Sequence, residues 1–440
     1  MKSMKLLAAA PALLFLFALT TTDAAALQSE PLPTMQNAPP AQPVTSYTLP
    51  PDKLAKAKAL YILRGRLRII DTVFAFIVLL GILYFGMAAR YRDWAERASP
   101  RRFLQALVFI PLLLITIDLL GLPLDIYQHH ISLQYGLSIQ KWGSWFGDVL
   151  KGEAISLVLL VLLLWILVGA IRRWPRLWWF YFWLIALPIL FFIVFIAPYV
   201  IDPLFNKFEP LEKNQPQLVT AIEKVVERAG MYIPPERMFE MKASEKVTVL
   251  NAYVTGFGAS KRVVVWDTTI QKLTVPETLF VFGHEMGHYV LKHVFHGLII
   301  GAIALLIAFY LVYRTCGWTL ARFQQRWQIR ELGDWAALPM LFLLLSIFGF
   351  VSEPLTNSYS RHVEHQADVY GLEVTHGINP DAKQAAAHSF QVLGELSLDY
   401  PYPGKLDVLW FYSHPPAADR LRFALDYDPW SNGLSPKYVK

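Results

Sequence analysis

The chain has 440 residues, of which 55% are apolar and 14% aromatic, and carries a formal net charge of +6. So apolar a composition excludes an ordinary soluble domain and points to the membrane. The single cysteine, Cys316, excludes an intrachain disulfide and a thiolate-built metal site. Arginines grouped beside apolar runs fit membrane topology better than a nucleic-acid surface, so no nucleic-acid partner is expected.

Lys2 and Lys5 precede an apolar run over 6–19 and small residues over 20–26, the pattern of a signal peptide or, if retained, a short N-terminal anchor. Residues 27–52 are proline-rich and read as an extended linker. Six further apolar blocks, at 69–89, 103–124, 155–171, 178–200, 295–312 and 337–354, approach the ~20 residues that a bilayer span needs. The expected fold is therefore mainly α: a polytopic helical membrane protein in contact with the lipid bilayer. Residues 53–201 would form a membrane domain of four spans and 295–355 two more, while 202–294 and 356–440 would build a water-facing domain. In the first of these, 218–229 has helical spacing, and 237–241, 249–255 and 262–266 read as short strands. The small sheet they imply either takes up an extended peptide by strand addition or is purely structural.

Asp118, inside the second block, must face other helices or a water-filled cavity. His129 and His130 follow Pro123 and are expected in a loop; His293 and His296 are expected at the membrane interface rather than as ligands. Three short loops, holding Arg90, Arg92, Arg97, Arg101 and Arg102, then Arg172, Arg173 and Arg176, then Arg314, Arg322, Arg326 and Arg330, fall opposite the water-facing domain. The positive-inside rule makes their side cytoplasmic and turns the water-facing domain outward, toward the periplasm of a bacterial inner membrane. Lys53, Lys56, Lys58, Arg64, Arg66 and Arg68, at the outer end of the first span, oppose that assignment.

The chemistry is concentrated in His284-Glu285-Met286-Gly287-His288. Residues four apart share a helical face, so His284 and His288 can offer two imidazoles to one zinc ion, with Glu285 beside them as general base. Thr274-Val275-Pro276-Glu277 reads as a capping box that starts this helix. A third ligand must come from elsewhere. The stretch Ser360 to Asp368 offers His362, Glu364 and His365, and spacing alone does not choose among them. Glu364 and Asp368 share a helical face, so one could bind zinc while the other hydrogen-bonds a ligand imidazole.

Together with Ser360-Arg361-x-x-Glu364-x-Gln366-Ala367-Asp368 and Tyr412-Ser413-His414-Pro415-Pro416, the zinc motif resembles the integral-membrane zinc metallopeptidases typified by the type I CAAX prenyl proteases. Leu122-Pro123-Leu124, Pro203-Leu204-Phe205-Asn206 and Asn251-Ala252-Tyr253 extend the likeness upstream. The resemblance implies a helical barrel around a hydrated chamber, closed by a zincin-like α+β domain. It implies one zinc held by His284, His288 and Glu364, with Glu285 as base and Asp368 as a second acid. It further implies that His414 steadies the oxyanion, that Asn251, Ala252 and Tyr253 hold substrate main chain, and that Arg361 and Arg420 fix the carboxylates.

The reading that results is a zinc-dependent membrane endopeptidase acting on a peptide or membrane-associated protein segment, possibly lipidated. Two alternatives accompany it: a quality-control membrane metalloprotease, and a non-enzymatic scaffold or channel that uses zinc for structure. An intact Glu285 argues against the last.

Overall fold

A computed structural model describes residues 43–256 and 261–439. The leader expected over 1–26, and the linker as far as residue 42, lie outside the described residues. Helix α1 (Pro51–Tyr84) is followed by α2 (Met87–Ala98), α3 (Arg102–Gln134), α4 (Trp142–Arg173) and α5 (Trp178–Val200). The water-facing part begins with strand β1 (Phe208–Pro210), α6 (Pro216–Arg228), β2 (Met238–Met241), β3 (Ala252–Thr255) and β4 (Arg262–Trp266). Then come α7 (Val275–Val290), α8 (His293–Trp327), α9 (Leu338–Thr375), α10 (Ala382–Leu396), α11 (Lys405–Phe411) and α12 (Ala417–Asp426).

Among the described residues six helices, α1, α3, α4, α5, α8 and α9, are long and apolar enough to cross a membrane, and each overlaps one of the six apolar blocks. Outward-facing Ile77, Leu119, Val158, Phe192 and Ile307 are exposed, as lipid contact requires, while Phe109, Leu113, Trp178 and Trp335 fill the interior. Several helices outrun their blocks. α1 starts at Pro51 rather than 69, so its basic residues lie on a helical extension rather than in a loop. α3 runs through Pro123 to Gln134, which puts His129 and His130 on a helix; His129 is buried and stacks on Trp145 with ring centroids 4.7 Å apart. Asp118 faces another helix, as expected, and meets the Glu153 carboxyl of α4.

The arginine-bearing connections gather at one end of the bundle, and three of their arginines are paired with acids. The stretch expected as a loop at Arg90–Arg97 is the amphipathic helix α2, and from it a buried Arg92 pairs with a buried Asp334 at 2.8 Å. Arg330 pairs with Asp93 and Glu96, and Arg172 with Glu331.

The sheet has the order β1-β2-β4-β3, with β2 parallel to β4 and the other two pairs antiparallel. β1 escaped the sequence reading because three residues ending in proline are too short to show a period. β3 is an edge strand packed beside α7.

α7 starts as its sequence demands: Pro276 lies in the first turn, and the Thr274 amide donates to Glu277 Oε2 at 2.8 Å in a complete capping box. The same helix then crosses α9 at backbone contact. A Cβ on Gly283 would stand 2.8 Å from Val374 Cγ1, one on Gly287 3.2 Å from Ala367 Cα, and one on Gly371 3.0 Å from the His284 nitrogen. Gly283-xxx-Gly287 thus lies against Ala367-xxx-Gly371, the small-residue spacing that brings helices together.

Gly371→Ala should therefore overpack this crossing and destabilise the protein by about 1–3 kcal/mol. Gly317→Ala, in α8 with nothing near the added methyl, should not. Thermal unfolding in detergent checks both; equal melting of the two variants would contradict the role assigned to the crossing.

Candidate metal centre

His284 and His288, one turn apart on α7, place their Nε2 atoms 3.1 Å apart. α9 brings Glu364 against both, with Oε2 3.4 Å from His284 Nε2 and Oε1 3.6 Å from His288 Nε2. The other two candidates for a third ligand point away: His362 is exposed, and His365 meets the Phe423 ring at 4.5 Å. These separations fit a tetrahedral ion, whose ligand atoms at roughly 2.0–2.2 Å would stand about 3.3–3.6 Å from one another. Glu364 is buried, and among the described residues its Oε2 accepts no hydrogen bond. A buried carboxylate oxygen without a donor is costly unless a cation completes it. A group of one carboxylate and two imidazoles suits zinc.

Asp368, one turn beyond Glu364, accepts from His284 Nδ1 at 2.8 Å. Arg420 of α12 grips the same carboxylate through two hydrogen bonds, Nε to Oδ2 at 3.0 Å and Nη2 to Oδ1 at 2.6 Å, and lies over the Phe390 ring. Arg361 differs from expectation. It fixes no carboxylate, but donates to the carbonyl oxygens of Val408 (2.8 Å) and Tyr412 (2.6 Å), pinning the segment that carries His414. It lies within one turn of Glu364 on the same helix, but its guanidinium is taken up by these carbonyls.

His414 brings Nε2 to 3.3 Å from Glu364 Oε1, while its Nδ1 contacts Ser413 Oγ at 2.9 Å. Asn251 lines the cavity that holds the centre, and its Oδ1 accepts from the Ala252 amide at 2.8 Å. Ala252 is buried in the core. Tyr253, expected beside substrate, packs instead on the opposite face of the sheet with Met241 and Val264, its hydroxyl bonded to Asp202. Strand alternation makes this inevitable once residue 252 faces inward. His293, expected at the interface, lies against the centre: its Nδ1 is 3.3 Å from His288 Nδ1 and its Nε2 is 3.0 Å from Gln366 Oε1.

The centre opens into a cavity of about 940 Å³ walled by α1 (Tyr61, Arg64, Arg68), by α10 (Phe390, Leu393) and by the 397–416 segment. Burial pushes the Glu285 carboxyl up to about 7, with nearby His284 opposing and Glu364 adding to the rise. Burial also drives the His288 imidazole down to about 3, which leaves it a neutral lone-pair donor.

Comparison with known proteins bears directly on this geometry. The profile of peptidase family M48 matches residues 212–428, and that of the CAAX prenyl protease N-terminal region, with five membrane helices, matches 33–207. A metalloprotease of Bacillus subtilis, YhfN, is 36% identical over 85% of this chain and 86% of its own length. The chain belongs to peptidase family M48. The human CAAX prenyl protease 1 homolog is 25% identical over 78% of this chain and 79% of its own. The crystal structure of S. mikatae Ste24p shares the fold, with a TM-score of 0.73 over 96% of this chain and 98% of that one, at 23% identity. This M48 member is a multi-pass membrane metalloendopeptidase.

A base at position 285 works deprotonated, so its active fraction grows as pH rises through its pKa. A cation alongside would pull the value of about 7 downward, toward the ordinary 4.5. The kcat/KM profile should show an acid limb with an apparent pKa between those two values, falling about tenfold per pH unit below it. A profile flat down to about pH 4 would remove Glu285 from that role.

Proposed function

We propose that this M48 peptidase holds one zinc ion on His284, His288 and Glu364 and hydrolyses peptide bonds in extended segments of peptides or membrane-associated proteins. The observation that carries the reading is the convergence of three donor atoms from α7 and α9 on one point, with an otherwise unsatisfied Glu364 oxygen facing it. Zinc there would polarise the scissile carbonyl and acidify a water molecule. Glu285 takes the proton from the attacking water and hands it to the leaving amide nitrogen. A Ser413 hydroxyl donating to His414 Nδ1 leaves that ring's proton on Nε2, aimed at the side where an oxyanion develops. Asp368, held by Arg420, keeps His284 in the tautomer that presents a lone pair at Nε2. Asn251, the residue before β3, borders the cavity, and β3, an edge strand among the described residues, would offer main-chain hydrogen bonds to a substrate laid alongside. The relatives named CAAX prenyl protease favour peptides with a C-terminal CAAX-like sequence, lipidated or not, as first substrates to try.

The decisive comparison is wild type against Glu285→Gln, both purified in detergent. One zinc per chain should be present in each, while hydrolysis falls by about 10²–10⁴-fold in the variant. Hydrolysis that survives the substitution, or a wild type devoid of zinc, would overturn the proposal.

For sidedness, we place the metal centre on the outer face. The arginine-rich ends of α2, α4 and α8 lie at the end of the bundle away from it, and the positive-inside rule counts those arginines even where acids partner them. A cysteine introduced at exposed Lys272 should react with a membrane-impermeant thiol reagent in intact cells, whereas Cys316 is buried. Reaction only after permeabilisation would invert the topology.

A further inference from the structure

We infer that His293 is a positioning residue for His288, and that with Gln366 it forms a relay fixing which nitrogen of His288 carries the proton. The inference rests on the zinc reading above.

His288 turns Nε2 toward His284 and Glu364, at 3.1 and 3.6 Å. To serve an ion there, Nε2 must keep its lone pair, so the ring proton sits on Nδ1. That Nδ1 faces His293 Nδ1 at 3.3 Å. The contact is a hydrogen bond only if His293 accepts, which puts the proton of His293 on its own Nε2. That atom in turn lies 3.0 Å from Gln366 Oε1, an acceptor. With the Gln366 amide turned the other way, its NH₂ would donate to His293 Nε2, and two N–H groups would then confront each other between the rings. One arrangement therefore satisfies all three side chains, and it is the arrangement that leaves the lone pair of His288 pointing at the centre.

The backbone is shaped for this contact. Five residues on a continuous helix separate side chains by far more than one face, so His293 could not meet His288 if α7 ran straight into α8. Lys292 breaks the run with φ 57°, a left-handed conformation unfavourable for lysine. The turn brings His293, the first residue of α8, back beneath α7, where it is buried edge-on to His288 with ring centroids 5.2 Å apart. Gln366 arrives from α9 between Glu364 and Asp368. Each imidazole thus has its own outer partner: a carboxylate for His284 and a neutral ring for His288. Outer partners of this kind hold ligand orientation and raise metal affinity.

The test is zinc retention by detergent-purified, zinc-loaded protein challenged with a chromogenic chelator. His293→Leu should weaken retention by about 10–100-fold. His293→Asn, whose Oδ1 stands where the accepting Nδ1 stood, should stay within about threefold of wild type, and Gln366→Leu should fall between the two. Retention by His293→Leu equal to that of wild type overturns the inference, and so does loss by His293→Asn as large as by His293→Leu. Melting of the zinc-stripped proteins separates positioning from packing. The Leu variant and wild type should then melt together, whereas a merely structural histidine would lower the melting point and leave retention unchanged. Should His293→Leu fail to fold, His293→Asn against Gln366→Leu decides: Asn must retain zinc better. A wild type without zinc would instead sink the proposed function itself, an outcome distinct from all of these.

Discussion

The centre depends on how closely two helices can approach. His284 and His288 each follow a glycine on α7, and Glu364 and Asp368 share a stripe with Ala367 and Gly371 on α9. Where the small residues meet, backbone lies on backbone, and the side chains next to them are thrust toward one another across the seam. A carboxylate reaches its imidazoles at 3.4–3.6 Å because no methyl group keeps the helices apart. The His-Glu-x-x-His motif and Glu364 are thus parts of one interface rather than two separate motifs.

Charge then has to be balanced inside that seam. Glu364 and Asp368 are both buried, and two carboxylates one turn apart repel strongly where water cannot screen them. Arg420 answers this from α12, forked onto Asp368 and 3.8 Å from Glu364. The residual negative charge is concentrated at Glu364, on the side facing the imidazoles, where a cation is wanted. The segment carrying His414 closes the arrangement. It is tied to α9 by Arg361 and by Asn357, whose side chain donates to the Trp410 carbonyl, and to α1 by Tyr61, which hydrogen-bonds Asp407.

What could be read from the chain follows the range of the interactions. His284, Glu285 and His288 lie within one turn of one helix, and the capping box that starts that helix is equally local, so both were legible. Six membrane helices announced themselves by composition, though not their lengths, because helical extensions beyond the bilayer such as 51–68 of α1 are polar and lack the apolar signal. The choice of Glu364 over His362 and His365 needed either the fold or a family likeness, since spacing within α9 says nothing of which face meets α7. Arg361 illustrates the same limit. The family resemblance implied that it fixes a carboxylate, yet its guanidinium is taken up by the Val408 and Tyr412 carbonyls of a segment far along the chain. Tyr253 was lost to strand alternation, and His293 to a single left-handed lysine that no periodicity anticipates.

The attachment of the centre to the membrane helices limits what it can process. α9 is one helix of 38 residues, about 57 Å long, so the segment bearing Glu364 and Asp368 continues the membrane span without a hinge loop, Pro354 notwithstanding. α8 begins at His293, against the centre itself. Neither helix can swing away to admit a folded domain without separating Glu364 from His284 and His288. The cavity beside them, about 940 Å³, matches the upper range of small-ligand clefts and accommodates a few extended residues. That cavity lies between α1 and the 397–416 segment, and Arg64 and Arg68 line it together with Glu285. A site so enclosed is shaped for a short extended segment rather than for a folded surface.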